Sequence, residues 1–172
     1  MTEDLIAQLR AHANPANVAG MARYGINTEG TLGVSMVVLR KLGKQAGKDH
    51  RLALALWDSG IHEARILATL VDEAGRVTSR QMDRWARDFD SWDVCDHACH
   101  NLFRYTPWAF EKAAEWANAK PEFVRRAGFS LMAGLGVKAK TAPDAQFETF
   151  LTLIAAAEIG RASCRERVFL LV

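Results

Sequence analysis

The chain has 172 residues, of which 49% are hydrophobic and 24% are charged, which is ordinary for a single globular domain with a sizeable core. No uninterrupted apolar run approaches the ~18 residues of a membrane-spanning helix, and the acidic start of the chain lacks a signal-peptide pattern. Three cysteines without the spacing of a disulfide framework indicate a reducing compartment, so we expect a cytoplasmic protein.

The formal net charge of +2 comes from the end of the chain. Three of the 22 basic and one of the 20 acidic residues lie in residues 161–172, which leaves 19 of each in residues 1–160. One local cluster is basic, with only Asp49 among it: Arg40, Lys41, Lys44, Lys48 and Arg51. A nucleic-acid binder has a basic face rather than just a basic total, but composition alone favours a solvated helix end here.

Apolar residues recur at helical spacing through most of the chain, and no segment shows convincing strand alternation. Asn14 before Pro15, Ser35, Asp49 and Thr78 stand where helix N-caps are expected. The pattern predicts about ten helices, over residues 3–12, 15–24, 36–47, 52–57, 61–74, 79–89, 92–104, 107–117, 121–135 and 143–154. Short links and antiparallel-looking pairs predict an all-α fold, a curved α-solenoid of HEAT-like helix pairs, with a compact helical bundle as the alternative.

An internal repeat is only faintly visible, since residues 64–70 can be aligned with residues 125–131. The amphipathic pattern of the last helix dissolves over residues 160–167. We therefore expect one repeat domain over residues 1–160 and a non-native tail over residues 161–172.

The stretch from Asp90 to Phe103 organises the chain. Ser91 suits a helix N-cap, and Asp93 falls in the first turn, where negative charge complements the helix dipole. Trp92 and Asp96 are four residues apart and therefore share a face, away from the apolar row. An indole beside a carboxylate suits a cationic substrate, although a buried Trp and a solvated Asp are the more common arrangement.

The same stretch carries cysteines and histidines that resemble metal ligands: Cys95, His97, Cys99 and His100. A structural zinc site needs four convergent ligands, usually from two motifs, and no second cluster exists because Cys164 stands alone. We expect no metal and no cofactor, and we expect Cys95 and Cys99 to be small buried thiols.

Arg125 and Arg126 lie in a later predicted helix, where Ala127 and Gly128 leave room for close approach. A guanidinium there could hold a phosphate with its planar fork. An Arg–Asp structural pair is the equally open alternative for Arg126.

Several of these motifs together resemble the DNA alkylation repair proteins of the AlkD type, across most of residues 12–155. The resemblance rests on Asn14-Pro15 with residues 21–24, on residues 56–58 with 63–65, on Arg126-Ala127, and most specifically on residues 91–96. It implies HEAT-like repeats with double-stranded DNA along a basic concave face, and excision of cationic N3- and N7-alkylated purines by a glycosylase.

By this resemblance Trp92, Asp96 and Arg126 match the family's active-site residues. DNA contacts are expected from Arg40, Lys41, Lys44, Lys48 and Arg125, in a monomer. The family also uses a Trp on a late helix for which this chain has no matching position, so the domain is expected to be incomplete at its C-terminal end.

Two other functions stay open at this stage: a non-catalytic HEAT-repeat protein that binds damaged or branched DNA, and a protein-binding solenoid. An Asp96 that faces the core in an ion pair would count against catalysis, whereas exposure on a basic concave face would support it.

Overall fold

The structure is a computed structural model, and it describes residues 2–157. This part of the chain contains α-helices, two short 3-10 turns and no strand, which confirms the predicted all-α class. None of its helices has the length and apolar character needed to cross a membrane. The α-helices are α1 Thr2–Ala11, α2 Pro15–Ala22, α3 Met36–Ala46, α4 His50–Asp58, α5 His62–Val71, α6 Ser79–Arg87, α7 Trp92–Asn101, α8 Ala109–Ala117, α9 Glu122–Lys138 and α10 Asp144–Ala156. The tail predicted over residues 161–172 lies outside the described residues.

Four predicted N-caps are confirmed by hydrogen bonds to the first turn of their helices. Asn14 accepts at 3.0 Å from the N–H of Ala16, and Asp49 accepts at 3.0 Å from that of Leu52. Ser35 and Thr78 accept in the same way at the starts of α3 and α6. These caps are local, because side chain and partner lie within three residues of each other.

Helices α5 and α7 each end three residues earlier than the sequence predicts. Helix α5 stops at Val71 rather than residue 74, because the buried Asp72 takes an extended backbone and binds other elements. Its carboxylate accepts from the side chain of Gln81 at 2.7 Å and pairs with His50 at 2.7 Å. Helix α7 stops at Asn101 rather than residue 104, and a 3-10 turn over Phe103–Tyr105 follows.

Helices α3, α5, α7 and α9 pack side by side in that order and form what we call the α3–α9 layer. Helix α4 pairs with α5, and α8 pairs with α9, each through a short link. Eight of the ten residues of α5 are buried, as expected for a helix inside such a layer. The two segments that align in the sequence, residues 64–70 and 125–131, lie in α5 and α9, with α7 between them.

Side-chain hydrogen bonds between elements recur at a sequence separation of about one helix pair. Trp57 bonds Asp88, 31 residues away, and Asn101 bonds Thr69, 32 residues away. The indole of Trp116 bonds Asp83 over 33 residues. The period of the solenoid is therefore close to 30 residues, within the range of helical-repeat proteins.

The core is aromatic where α4, α6 and α7 meet. The indole rings of Trp57 and Trp85 stack with centroids 3.9 Å apart and planes within 2° of each other. Phe89 packs edge-on against Trp57 at 6.0 Å, and Phe103 lies 6.1 Å from Trp85. These rings form a rigid support behind α7.

A buried glutamate holds the loop between α2 and α3. Glu63 is 1% exposed, and its carboxylate accepts from the backbone N–H groups of Leu32 at 2.8 Å, Gly33 at 2.6 Å and Val34 at 3.2 Å. Gly33 has a φ of 75°, and a Cβ there would collide with the carbonyl of Asn14. Glu63 thus fixes a loop whose other end reaches α7.

Candidate functional site

Trp92, Asp96 and Arg126 come together at the seam between α7 and α9. The Nε of Arg126 donates to one carboxylate oxygen of Asp96 at 3.1 Å, and its Nη2 donates to the other at 2.6 Å. The guanidinium carbon lies 5.9 Å from the ring centroid of Trp92. The three residues that the sequence singles out are thus one cluster, which we call the Trp-Asp-Arg cluster.

The cluster is partly closed. The side chain of Asp96 is 11% exposed and that of Arg126 is 16% exposed. Burial alone would lower the pKa of Arg126, but the hydrogen bonds and charge of Asp96 outweigh burial and raise it. Arg126 therefore keeps its charge, and it has with Asp96 the geometry of the Arg–Asp structural pair that the sequence leaves open.

The ion pair leaves hydrogen-bonding capacity on both partners. A guanidinium has five N–H donors, and the two bonds to Asp96 leave the Nη1 group of Arg126 free to donate elsewhere. Each carboxylate oxygen of Asp96 also has a second lone pair. Arg126 can therefore bind a phosphate while it stays on Asp96, and Asp96 can still accept from a water molecule.

The N-terminal part of the chain holds Trp92. Its indole N–H donates to the backbone carbonyl of Tyr24 at 3.0 Å. Next to it, Asn27 donates through its backbone to the hydroxyl of Ser91 at 3.3 Å and through its side chain to Asp90 at 3.1 Å. Ser91 stands at the N-cap position of α7 as predicted, but its side chain makes no capping bond. Its hydroxyl accepts from the backbone N–H of Asn27 instead.

A buried ion pair lies under the first turn of α7. The Nε2 of His62 lies 2.8 Å from a carboxylate oxygen of Asp93, and both residues are buried. Burial alone would lower the pKa of His62, but the hydrogen bond and charge of Asp93 outweigh burial and raise it. Asp93 therefore ties α7 to α5 in addition to facing the helix dipole.

The two cysteines of α7 are buried free thiols, as predicted. Their Sγ atoms lie 3.5 Å and 3.6 Å from the backbone carbonyls of Phe123 and Ala127 on α9. Burial raises the pKa of Cys95 above its usual value, so this thiol is unreactive. Among residues 2–157, no three His, Cys, Asp or Glu side chains converge as metal ligands, and Cys164 lies outside that range.

The predicted basic cluster lies at the C-terminal half of α3. Arg40, Lys41, Lys44 and Lys48 are all exposed, and three of them line an open cavity of about 280 Å³ with Gly43, Gly47 and Leu70. Lys48 also has a structural task, because its ammonium donates at 2.9 Å and 2.8 Å to the carbonyls of Leu70 and Asp72. Burial and the charge of Arg40 lower the pKa of His97, so the positive charge of Arg40 has an electrostatic effect on this residue of α7.

Helix α5 lies between α3, which carries most of the basic cluster, and α7, which carries Trp92 and Asp96. Axes of packed helices lie roughly 8–10 Å apart, so the axes of α3 and α7 are roughly 16–20 Å apart. Arg125 is exposed on α9 beside Arg126.

A comparison with protein families gives a match over residues 5–158 to the model of the DNA alkylation repair enzymes. The chain belongs to the DNA alkylation repair family. The resemblance seen in the sequence is thereby confirmed. A comparison with curated proteins gives no match.

A solved structure supports the fold of this DNA alkylation repair family member. It comes from a family of proteins related to the HEAT-like repeat DNA glycosylases, with affinity for branched DNA structures. The TM-score is 0.77 at 18% identity, so the likeness concerns the fold, and it confirms the predicted HEAT-like solenoid. The match covers 88% of this chain and 65% of that one, so this chain spans about two-thirds of the length of the solved protein.

Two features of the site in this DNA alkylation repair protein are not predictable from local patterns. Tyr24, whose side chain is 74% exposed, lies next to Trp92 although 68 residues separate them. His100 lies one turn beyond Asp96, and its Nε2 is 3.1 Å from the hydroxyl of Ser130 on α9. Tyr24 belongs to a segment that carries the family resemblance, whereas nothing in the sequence marks Ser130.

Proposed function

We propose that the chain is a monofunctional DNA glycosylase that excises cationic N3- or N7-alkylated purines from double-stranded DNA. The observation that supports it is the assembly of Trp92, Asp96 and Arg126 at one seam of the α3–α9 layer. The protein would act as a monomer without metal or cofactor.

The chemistry suits these side chains. An alkylated purine of this kind is already a cation, so the bond from the purine to C1′ breaks with its electron pair moving to the base, which leaves neutral. The sugar develops oxocarbenium character, and the carboxylate of Asp96 would stabilise that charge and orient the water that adds to C1′. The water releases one of its two protons to solvent and keeps the other in the new C1′ hydroxyl, and Trp92 would add cation–π attraction along its ring face.

Arg126 would bind the phosphate next to the lesion. Its Nη1 group is not used by Asp96, so one guanidinium can bridge the carboxylate and a phosphodiester. A phosphate there would draw positive charge away from Asp96 and thereby strengthen the effect of the carboxylate on the sugar. The exposed cations of α3 would hold the duplex further along.

The test is release of 3-methyladenine and 7-methylguanine from methylated duplex DNA by the 172-residue chain. Asp96→Asn is expected to reduce release by about two orders of magnitude or more. Asp83→Asn is the matched control. Asp83 lies on α6 and, like Asp96, forms an interhelical ion pair, in this case with Lys112 of α8. Equal loss in both folded variants, or full release by Asp96→Asn, would contradict the role of Asp96.

A second function has its own support. Asp96 is buried and both of its carboxylate oxygens accept from Arg126, an arrangement that counts against catalysis, and the solved structure belongs to proteins with affinity for branched DNA. The alternative is therefore a non-catalytic protein that binds damaged or branched DNA. A folded chain that releases no base but prefers a four-way junction to a linear duplex would favour it.

A further inference from the structure

The seam between α7 and α9 continues beyond the Trp-Asp-Arg cluster as a row of polar contacts. Asp96, His100 and Arg104 follow one another at four-residue spacing, and Arg126, Ser130 and Gly134 follow at the same spacing opposite them. Asp96 pairs with Arg126, and His100 bonds Ser130. On the continuous helix α9 each step advances roughly 6 Å, and on the opposite side Arg104, in the 3-10 turn that follows α7, meets the row at Gly134.

The third step of the row differs from the others because α9 supplies only a glycine there. A Cβ on Gly134 would lie 3.5 Å from the Cδ of Arg104 and 3.9 Å from the Nε2 of His100. The small residue makes room for the Arg104 side chain to lie along α9. Burial and the charge of Arg104 lower the pKa of His100, while the charge of Asp96 raises it, so His100 lies between these two charges.

Arg104 is an arginine without an acidic partner within residues 2–157. Its Nη2 donates to the hydroxyl of Tyr105 at 2.8 Å, and its guanidinium carbon lies 4.8 Å from the Tyr105 ring centroid. Its Nε is buried and has no hydrogen-bond partner in that part of the chain. The other partly buried arginine of this seam, Arg126, is neutralised by Asp96. Arg104 is thus held in place by an aromatic ring, and no carboxylate within residues 2–157 pairs with its charge.

We propose that Arg104, oriented by Tyr105, is a binding site for a backbone phosphate of the DNA strand that passes the Trp-Asp-Arg cluster. This inference rests on the proposed function. A planar guanidinium with a free donor matches a phosphodiester, and the Nη1 group, which the bond to Tyr105 does not use, would donate to it. Arg104 lies against Gly134, which is eight residues from Arg126 on α9, and eight helical residues correspond to about 12 Å. Arg104 would set the position of the strand relative to Asp96.

The experiment measures the salt dependence of binding to a fluorescein-labelled undamaged duplex, by anisotropy, between about 50 and 200 mM salt. Arg104→Gln should weaken binding about tenfold at the low-salt end and reduce the slope of log K against log salt by about 0.9, the value for one phosphate contact. Arg104→Lys keeps the charge and should keep the slope. Arg84→Gln is the control, because this exposed arginine pairs with Asp58 away from the seam and should bind as the wild type does.

The outcomes separate the two proposals. If Arg104→Gln binds as tightly as the wild type with the same slope of log K against log salt, the phosphate site alone is overturned. The same holds if the slope falls in Arg104→Lys as much as in Arg104→Gln. Absence of DNA binding by the folded wild-type chain overturns the phosphate site and the proposed function together. Far-UV circular dichroism of each variant ensures that a lost slope reflects a lost contact rather than a lost fold.

Discussion

Replacing Glu63 by glutamine is expected to destabilise the protein far more than a surface substitution does. The carboxylate accepts three backbone N–H groups, and one of its oxygens serves both Gly33 and Val34. A glutamine can keep those two bonds through its single oxygen, but its amide nitrogen then faces the N–H of Leu32, donor against donor. The substitution therefore weakens two charge-assisted bonds and leaves one buried donor without an acceptor.

The cost follows from these three bonds. Loss of charge assistance costs about 1 kcal/mol for each retained bond, and an unsatisfied buried donor costs about 1–3 kcal/mol. The sum, about 3–5 kcal/mol, is a large share of the roughly 5–15 kcal/mol by which domains are stable. At this chain length we expect the Tm to fall by roughly 6–20 °C.

The measurement is equilibrium urea unfolding followed by far-UV circular dichroism, with Glu148→Gln as the control because that carboxylate is exposed on α10. The control should stay within about 0.5 kcal/mol of the wild type. Hydrogen exchange should also accelerate at the amides of Leu32, Gly33 and Val34. A Glu63→Gln variant as stable as the control, with unchanged exchange at these amides, would refute the assignment of Glu63 as the anchor of the loop.

Two further predictions concern α7 and α9. Because the folded pKa of His62 is raised, its pair with Asp93 stabilises the fold fully below about pH 6.5, and this contribution is lost as the pH rises through the folded pKa. Urea unfolding should therefore show that His62→Gln lowers the free energy of unfolding more at pH 6 than at pH 9. Equal losses at the two pH values would contradict this prediction. Gly128→Ala should cost about 1–3 kcal/mol because a Cβ would collide with the backbone of Ala117, whereas Gly136→Ala, with open space around it in the same helix, should gain about 0.5–1 kcal/mol; thermal melts of both variants test the contrast, which fails if both shift the Tm in the same direction.

Local signals account for most of the fold that the sequence predicts. The caps at Asn14, Asp49 and Thr78 bond within their own first turn, so the residues that form them are adjacent in the sequence. The ends of α5 and α7 are different. Asp72 leaves the helix to bind partners on α4 and α6, and such contacts are invisible to helical periodicity.

The same division applies to the candidate site. Four-residue spacing places Trp92 and Asp96 on one face, but their contact with Arg126 joins helices 30 residues apart and was anticipated through the family resemblance. The sequence also groups Lys48 with the DNA-binding cations, whereas the structure shows that its ammonium caps the end of α5. The charge of a lysine is readable from the sequence, but its neighbours are not.

The bond between Tyr24 and Trp92 has a consequence for how the chain folds. Most interhelical side-chain bonds join partners about 30 residues apart, so neighbouring helix pairs can assemble one after another, as in other solenoids. The contacts of Tyr24 and Asn27 with residues 90–92 span 63 to 68 residues and skip one helix pair. Closing that longer loop carries a larger entropic cost, so we expect the indole of Trp92 to reach Tyr24 only after the helix pair between them has formed.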